Sequence, residues 1–201
     1  HDAFIAKCEE LGVEVVGDES YAAGDVDFKS QLTNIMANSP DVLFCPDYYE
    51  TVSQIAIQAR EVGLASTLLG GDGWSSVLPA MTDATSVEGA YFCSGFSLDD
   101  TSDMVQNFLT DYNAAYGSDP DMFAAQSYDA SMILCAAIEA AEQTGTEPAS
   151  DESKQAIIDA MDATDLDCVT GHITYDELNN PIKDAVILTI KDGNYTFVEK
   201  Y

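Results

Sequence analysis

The sequence is short of positive charge. Its 201 residues include only 7 lysines and arginines against 36 aspartates and glutamates, which gives a formal net charge of −29. A field of this sign repels the phosphates of nucleic acids and of anionic membranes, so we exclude both as binding partners. The acids are scattered over predicted polar faces and loops, and most of them are typical of a solvated surface.

Long hydrophobic runs are missing as well. No stretch approaches the roughly 18 apolar residues that a membrane-spanning helix needs. The first residues, HDAFIAKCEELG, show no basic, apolar and small-residue leader and are typical of a helix already under way. We expect either an exported protein without its leader or a fragment of a longer chain.

The sequence also lacks the usual motifs of catalysis and metal binding. It has no G-x-S-x-G, no G-x-x-x-x-G-K-[ST] and no G-x-G-x-x-G after a strand, and two histidines offer little to a histidine-based triad. The five cysteines show no C-x-x-C spacing, and the apolar runs around four of them indicate small buried hydrophobes: Cys8, Cys45, Cys93 and Cys135. We therefore expect no catalytic residue, no metal and no cofactor.

The first half of the chain alternates predicted strands and helices. Short apolar runs predict strands over 13–17, 41–45, 66–71 and 87–95, and helical spacing of apolar residues predicts helices over 25–39 and 49–63. Strands separated by helices of this length pair in parallel through right-handed crossovers. This pattern predicts an α/β fold with a doubly wound parallel sheet.

The second half is predicted to consist of three helices, a hairpin-like piece over 173–182 and two strands around an Asp192–Gly193 turn. The helices have apolar faces but no sheet of their own to cover, as in the group Ile133, Leu134, Ala137 and Ile138. Soluble monomers rarely leave such large patches exposed. We infer that a missing N-terminal segment, mostly sheet, or a second chain covers them.

Polar and aromatic side chains follow two of the predicted strands. Asp47 and Tyr48 come after the run DVLFC, and Asp72 and Trp74 come after TLLGG. Ligands of open α/β sheets bind outside the carboxyl ends of the strands, so we expect Tyr48 and Asp72 to face one crevice. A carboxylate beside an aromatic ring suits a ligand with an ammonium group and an apolar part.

Other interpretations of these residues stay open from the chemistry alone. Asp72 is equally typical of a turn or of a helix N-cap, Tyr48 of a rim aromatic, and Trp74 of simple packing. The glycines around Asp72 permit positive φ and close approach of another group to the backbone: Gly70, Gly71 and Gly73.

The order of motifs resembles that of the branched-chain amino acid binding proteins, the type I periplasmic binding proteins that serve ABC transporters. The matching pieces include DVDFKSQLTNIMANSPDVLFCPDYYE, LLGGDGW and VEGAYFCSGFS, and they continue through CVTGHITYDELNNPIKDAVILTIKDG. The last piece is similar to the family's closing signature, with Cys168 and Tyr175 as departures. Together the pieces span nearly the whole chain in the family's order.

The resemblance implies two Rossmann-like lobes with a ligand cleft between them. Residues 1–94 correspond to the second lobe without its first strand, 95–175 to the helical return of the first lobe with the hinge, and 184–201 to strands returning to the second lobe. Tyr48 and Asp72 match the family's ligand tyrosine and the acid that takes the ammonium group, and Phe123 matches an aromatic of the side-chain pocket. Trp74 and Asp47 are further candidates without a firm family role, and His172 is expected to be a structural hydrogen-bonding residue.

The function implied by the resemblance is the binding of an amino acid, branched-chain or similar, outside the cell. The expected partner is the membrane permease of an ABC transporter, and the expected location is extracellular or periplasmic, with a lipid anchor. An alternative is a ligand-sensing or regulatory domain of the same fold, for amino acids or amides. The missing catalytic motifs disfavour a third hypothesis, that the protein is an enzyme.

Overall fold

A computed structural model describes all 201 residues, His1 to Tyr201, which form two compact units. Unit 1 comprises His1–Cys93 and Ile187–Val198, and unit 2 comprises Ser94–Val186 and Glu199–Tyr201. The helices are α1 (Asp2–Leu11), α2 (Lys29–Ala37), α3 (Tyr49–Glu61), α4 (Asp103–Tyr116), α5 (Met122–Glu142) and α6 (Asp151–Asp162). The strands are β1 (Val42–Cys45), β2 (Thr67–Gly70), β3 (Tyr91–Ser94), β4 (Asp165–Cys168), β5 (Gly171–Tyr175), β6 (Pro181–Ile182), β7 (Val186–Lys191) and β8 (Asn194–Lys200). None of the helices combines the length and the hydrophobicity that crossing a membrane requires.

Unit 1 is built on a five-stranded sheet in the order β1-β2-β3-β7-β8. β1 pairs with β2 in parallel, with Cys45 opposite Gly70, and β2 pairs with β3 in parallel, with Gly70 opposite Phe92. The predicted α/β class and the parallel pairing are confirmed. The predicted Asp192–Gly193 turn joins β7 to β8, and both of its residues have positive φ, as a two-residue hairpin turn requires.

α3 supplies much of the core of unit 1. Its apolar residues recur at helical spacing, so one face of the helix is buried: Val52, Ile55, Ala56 and Ala59. The chain leaves the helix through Gly63, whose φ of 88° is costly for other residues. The guanidinium of Arg60 then donates to the carbonyl oxygens of Leu64 and Ser66, which ties the end of α3 to the entry of β2.

The predicted strand over 13–17 does not form. Residues of this segment have no regular secondary structure, and its valines are exposed: Val13, Val15 and Val16. A strand is stable only when a neighbouring strand satisfies its backbone groups, and β1, at the edge of the sheet, pairs with β2 alone. The β-branched residues give this segment a high strand propensity, but the predicted strand is wrong because no neighbouring strand pairs with it.

Unit 2 combines α4, α5 and α6 with a three-stranded antiparallel sheet in the order β4-β5-β6. The predicted hairpin over 173–182 corresponds to β5 and β6, whereas β4 was not predicted. Asp129 of α5, which is only 2% exposed, accepts hydrogen bonds from the backbone N–H groups of Val169 (2.7 Å) and Thr170 (2.9 Å). This buried carboxylate fixes the turn between β4 and β5 against α5.

The apolar surface of α5 is only partly covered. Ile133 and Ala137 are buried, and Ile133 packs with Cys168 and Ile173 in a small core cluster. Leu134 and Ile138 are exposed. The prediction of an uncovered apolar face is thus confirmed for two of its four residues and wrong for the other two.

The cysteines also divide. Cys8, Cys45 and Cys168 are buried free thiols, but Cys93 and Cys135 are exposed. The prediction of buried small hydrophobes is wrong for these two. In β3 the alternation of the strand turns Phe92 inward and Cys93 outward.

Candidate functional site

The tip of β1 presents Tyr48. The strand ends at Cys45, and Tyr48 is the N-cap residue of α3, in an extended backbone conformation with no side-chain cap hydrogen bond. Its side chain is 60% exposed. The ring therefore stands free at the edge of the sheet where the parallel strands end.

Asp47, the neighbouring candidate, is already engaged within the chain. One carboxylate oxygen, Oδ1, accepts from the backbone N–H of Tyr48 at 2.6 Å. The other, Oδ2, accepts from the hydroxyl of Tyr21 at 2.6 Å. Because both oxygens have a partner, Asp47 holds the turn before α3, and its contact with a ligand stays a prediction.

The tip of β2 presents Asp72, which is exposed and whose carboxylate makes no hydrogen bond and no ion pair. It opens a short 3-10 helix, Asp72–Ser76, in which Gly71 is the N-cap residue. The helix has no side-chain cap, so the interpretation of Asp72 as an N-cap is wrong. The carboxylate is left available at the carboxyl end of a parallel strand.

Close packing explains two of the three glycines around Asp72, Gly70 and Gly73. A side chain at Gly70 would lie 2.4 Å from the ring of Trp74, and one at Gly73 would lie 2.8 Å from the carbonyl oxygen of Asp47 and 3.0 Å from Cα of Tyr48. Neither these two nor Gly71 has positive φ, so that part of the prediction is wrong. The close approach comes from the chain itself: Gly73 lets the tip of β2 lie directly against the tip of β1.

Trp74 is a packing residue under the strand tips and not a ligand contact. Its side chain has no exposed surface, its ring stacks on Phe92 at a centroid distance of 6.4 Å, and its Nε1–H donates to the carbonyl oxygen of Cys45 at 2.9 Å. The prediction of Trp74 in the ligand site is therefore corrected. Its function here is to join the end of β1 to the segment that follows β2.

Cys93 is the residue at this edge that the sequence analysis missed. It lies one position beyond the paired residue Phe92 on β3, the next strand along. Partial burial, together with the nearby carboxylate of Asp72, raises the pKa of the Cys93 thiol. The carboxyl ends of three consecutive strands thus place a phenol, a carboxylate and a thiol along one edge of the sheet.

Phe123 belongs to unit 2. It lies in the first turn of α5, is half-buried, and packs against a core cluster that includes Phe96, Phe108 and Val169. Its position in the ligand site stays a prediction.

The chemistry available at this edge is that of recognition. The free carboxylate can accept a charge-assisted hydrogen bond from an ammonium group, and the exposed phenol ring can pack an apolar side chain. No group of three or more histidine, cysteine, aspartate or glutamate side chains is arranged to hold a metal ion.

Comparisons with known proteins agree with this architecture. A family model described as periplasmic binding protein matches residues 1–194. The Leu/Ile/Val-binding protein BraC3 of Rhizobium johnstonii is 27% identical over 177 residues, which cover 88% of this chain and 46% of that protein.

Two solved structures have the same fold. The leucine-binding protein LivK of Thermotoga maritima superposes with a TM-score of 0.86 at 28% identity, covering 99% of this chain and 55% of its own. LivJ of Streptococcus pneumoniae, a branched-chain amino acid transporter substrate-binding protein solved with isoleucine, superposes with a TM-score of 0.77 at 30% identity, covering 98% and 56%. The chain therefore spans about half the length of these relatives. With nearly all of its residues matched by the family model, this chain belongs to the periplasmic binding proteins, has their type I fold, and is similar to the members that bind branched-chain amino acids.

Proposed function

We propose that this protein binds an α-amino acid with an apolar side chain and that Asp72 takes the ligand's ammonium group. The observation that carries the proposal is the state of Asp72: an exposed carboxylate at the end of a parallel strand, with no partner and no capping role. A protein with 36 acids and 7 bases has many exposed carboxylates, but this one stands at the strand edge where ligands of α/β sheets bind.

Tyr48 supplies the apolar contact in this proposal. Its ring is exposed, and Gly73 allows its backbone to lie beside the turn that carries Asp72. An ammonium group on Asp72 would therefore leave the ligand's side chain within reach of the phenol ring. The names of the relatives support branched-chain amino acids as the first ligands to test.

We propose the remaining parts of the function from the resemblance to the family. They are a ligand cleft between two lobes, the assignment of residues 1–94, 95–175 and 184–201 to those lobes, and the contact of Phe123 with the ligand's side chain. They also include delivery to an ABC transporter permease from a lipid-anchored protein outside the cell. The named relatives are binding proteins, and we propose binding without catalysis here.

Isothermal titration calorimetry on the protein at its natural full length tests the proposal. We expect saturable heat with leucine, isoleucine or valine, and none with 4-methylpentanoate, which has leucine's carbon skeleton without the amino group. If no amino acid in a panel of the twenty produces heat, the proposed function is wrong.

A further inference from the structure

We propose that Tyr21 is a positioning residue for the ring of Tyr48 and acts through the carboxylate of Asp47. The inference rests on the proposed function, because it concerns the residue that would contact the ligand's side chain. Tyr21 lies in a segment without regular secondary structure, far along the chain from the strand tips. Neither the composition of this segment nor the spacing of its residues indicated a role for Tyr21.

A chain of hydrogen bonds links Tyr21 to the backbone of Tyr48. The hydroxyl of Tyr21 donates to Oδ2 of Asp47 at 2.6 Å, and Oδ1 of the same carboxylate accepts from the backbone N–H of Tyr48 at 2.6 Å. The planar carboxylate thus joins the phenol to the backbone of the residue that presents the exposed ring. The N-terminus of α3 has no side-chain cap hydrogen bond, and this carboxylate fixes the turn that leads into it.

Tyr21 is itself anchored by the residues around it. Its ring meets the ring of Phe28 edge-on, with centroids 5.0 Å apart, and Phe28 is buried. Next to it, Gln58 of α3 accepts from the backbone N–H of Phe28 at 2.7 Å and donates to the carbonyl oxygen of Val26 at 2.9 Å. The segment that carries Tyr21 is therefore fastened to α3 near its C-terminal end, while Tyr21 reaches the turn at its N-terminal end.

The protonation state of Tyr21 favours the same hydrogen bond. Burial, and then the hydrogen bond to Asp47, raise the pKa of the Tyr21 phenol well above its ordinary value. The phenol consequently remains protonated, and able to donate, at every physiological pH. Removal of this one hydroxyl should leave Oδ2 of Asp47 without its donor and make the backbone of Tyr48 more mobile, without disturbing the buried core.

The test uses Tyr21→Phe, which removes only the hydroxyl, with Tyr116→Phe as the matched control. Tyr116 is exposed on α4, and its hydroxyl makes no hydrogen bond. In the free protein, hydrogen exchange at the amide of Tyr48 should be faster by about 3- to 10-fold in Tyr21→Phe and unchanged in Tyr116→Phe. This readout needs no ligand, so it remains informative if the protein proves not to bind an amino acid.

Calorimetry tests the functional half. We expect Tyr21→Phe to weaken leucine binding by about 3- to 10-fold and glycine binding much less, because glycine has no side chain for the ring to contact. In a Tyr48→Ala background the same substitution should have no further effect on leucine affinity. An unchanged exchange rate at Tyr48 overturns the proposal, as does an equal loss of leucine affinity with and without the Tyr48 ring.

Discussion

The indole Nε1–H of Trp74 donates a 2.9 Å hydrogen bond to the carbonyl oxygen of Cys45, the last residue of β1. The bond links two segments 29 positions apart and lies in a fully buried environment. The same carbonyl oxygen also accepts from the backbone N–H of Asp47 at 3.0 Å, so the indole bond ties the segment after β2 to the turn that follows β1.

Trp74→Phe should lower the free energy of unfolding by about 0.5–1.5 kcal/mol, since it removes one buried hydrogen bond to the Cys45 carbonyl oxygen, which keeps the backbone N–H of Asp47 as a donor. Urea denaturation measures the change. Trp74→Ala should cost more, about 3–5 kcal/mol, because it also leaves a cavity. Equal free energies of unfolding for Trp74→Phe and the wild type would show that the bond does not stabilise the fold.

Alanine substitutions at Gly70 and Gly71 form a matched pair that tests whether close packing requires a glycine. Gly70→Ala would place its Cβ 2.4 Å from the Trp74 ring, whereas Gly71→Ala would meet no atom within 4 Å at a φ of −92°. We expect Gly70→Ala to destabilise the protein by about 1–3 kcal/mol and Gly71→Ala to have little effect. Thermal unfolding of both variants decides the point, and a reversed order would contradict the packing described here.

Cys93 offers a chemical probe of the site. Because its thiol lies close to Asp72, a bound amino acid should shield it, and saturating leucine should slow its alkylation by iodoacetamide. Cys135, exposed on α5 in unit 2, is the internal control and should react at the same rate with and without leucine. Mass spectrometry of the two peptides measures both rates. If leucine binds but the rate at Cys93 stays unchanged, the ligand is not at this edge of the sheet.

His172 predicts a pH dependence of stability in unit 2. Its Nδ1 lies 2.8 Å from Oδ1 of Asp167 and its Nε2 lies 3.1 Å from Oδ1 of Asp165. The hydrogen bond to Asp167 and the charge of Asp165 raise the pKa of the imidazole above its ordinary value of 6.5. The charged form is favoured in the folded state, so the stabilisation is complete below the unfolded pKa and is lost as the pH rises through the folded one.

The melting temperature of His172→Gln, compared with that of the wild type at a series of pH values, measures this contribution. The difference should be largest on the acidic side of 6.5, shrink toward alkaline pH, and shrink further in high salt. A difference that grows with pH would reverse the sign of the coupling. The structural hydrogen-bonding role expected of His172 is confirmed by its two aspartate partners.

Local pattern was sufficient to predict the elements that position the site. The continuous apolar run of β1 predicts a buried strand, and the apolar spacing of α3 predicts a helix. The parallel pairing of β1 with β2 follows from the helix between these consecutive strands. The tips that carry Tyr48 and Asp72 could therefore be predicted to adjoin.

The parts that failed depend on contacts between distant residues. The valines near residue 15 needed a neighbouring strand, and the glycine at position 70 is explained by the ring of Trp74 and not by its own backbone angles. Cys93 could have been identified from the sequence, since a strand that turns Phe92 inward must turn the next residue outward. The partner of Asp47, by contrast, comes from a segment with no pattern at all.

The central claim is that the carboxylate of Asp72 binds the ligand's ammonium group, and calorimetry of Asp72→Asn with leucine tests it most directly. The substitution keeps the size of the side chain and removes its charge, so we expect affinity to fall by about 10- to 100-fold, the range for a hydrogen bond to a charged group. Asp72 makes no hydrogen bond or ion pair in the fold, so the melting temperature without ligand should not change. Leucine affinity equal to that of the wild type would contradict the account.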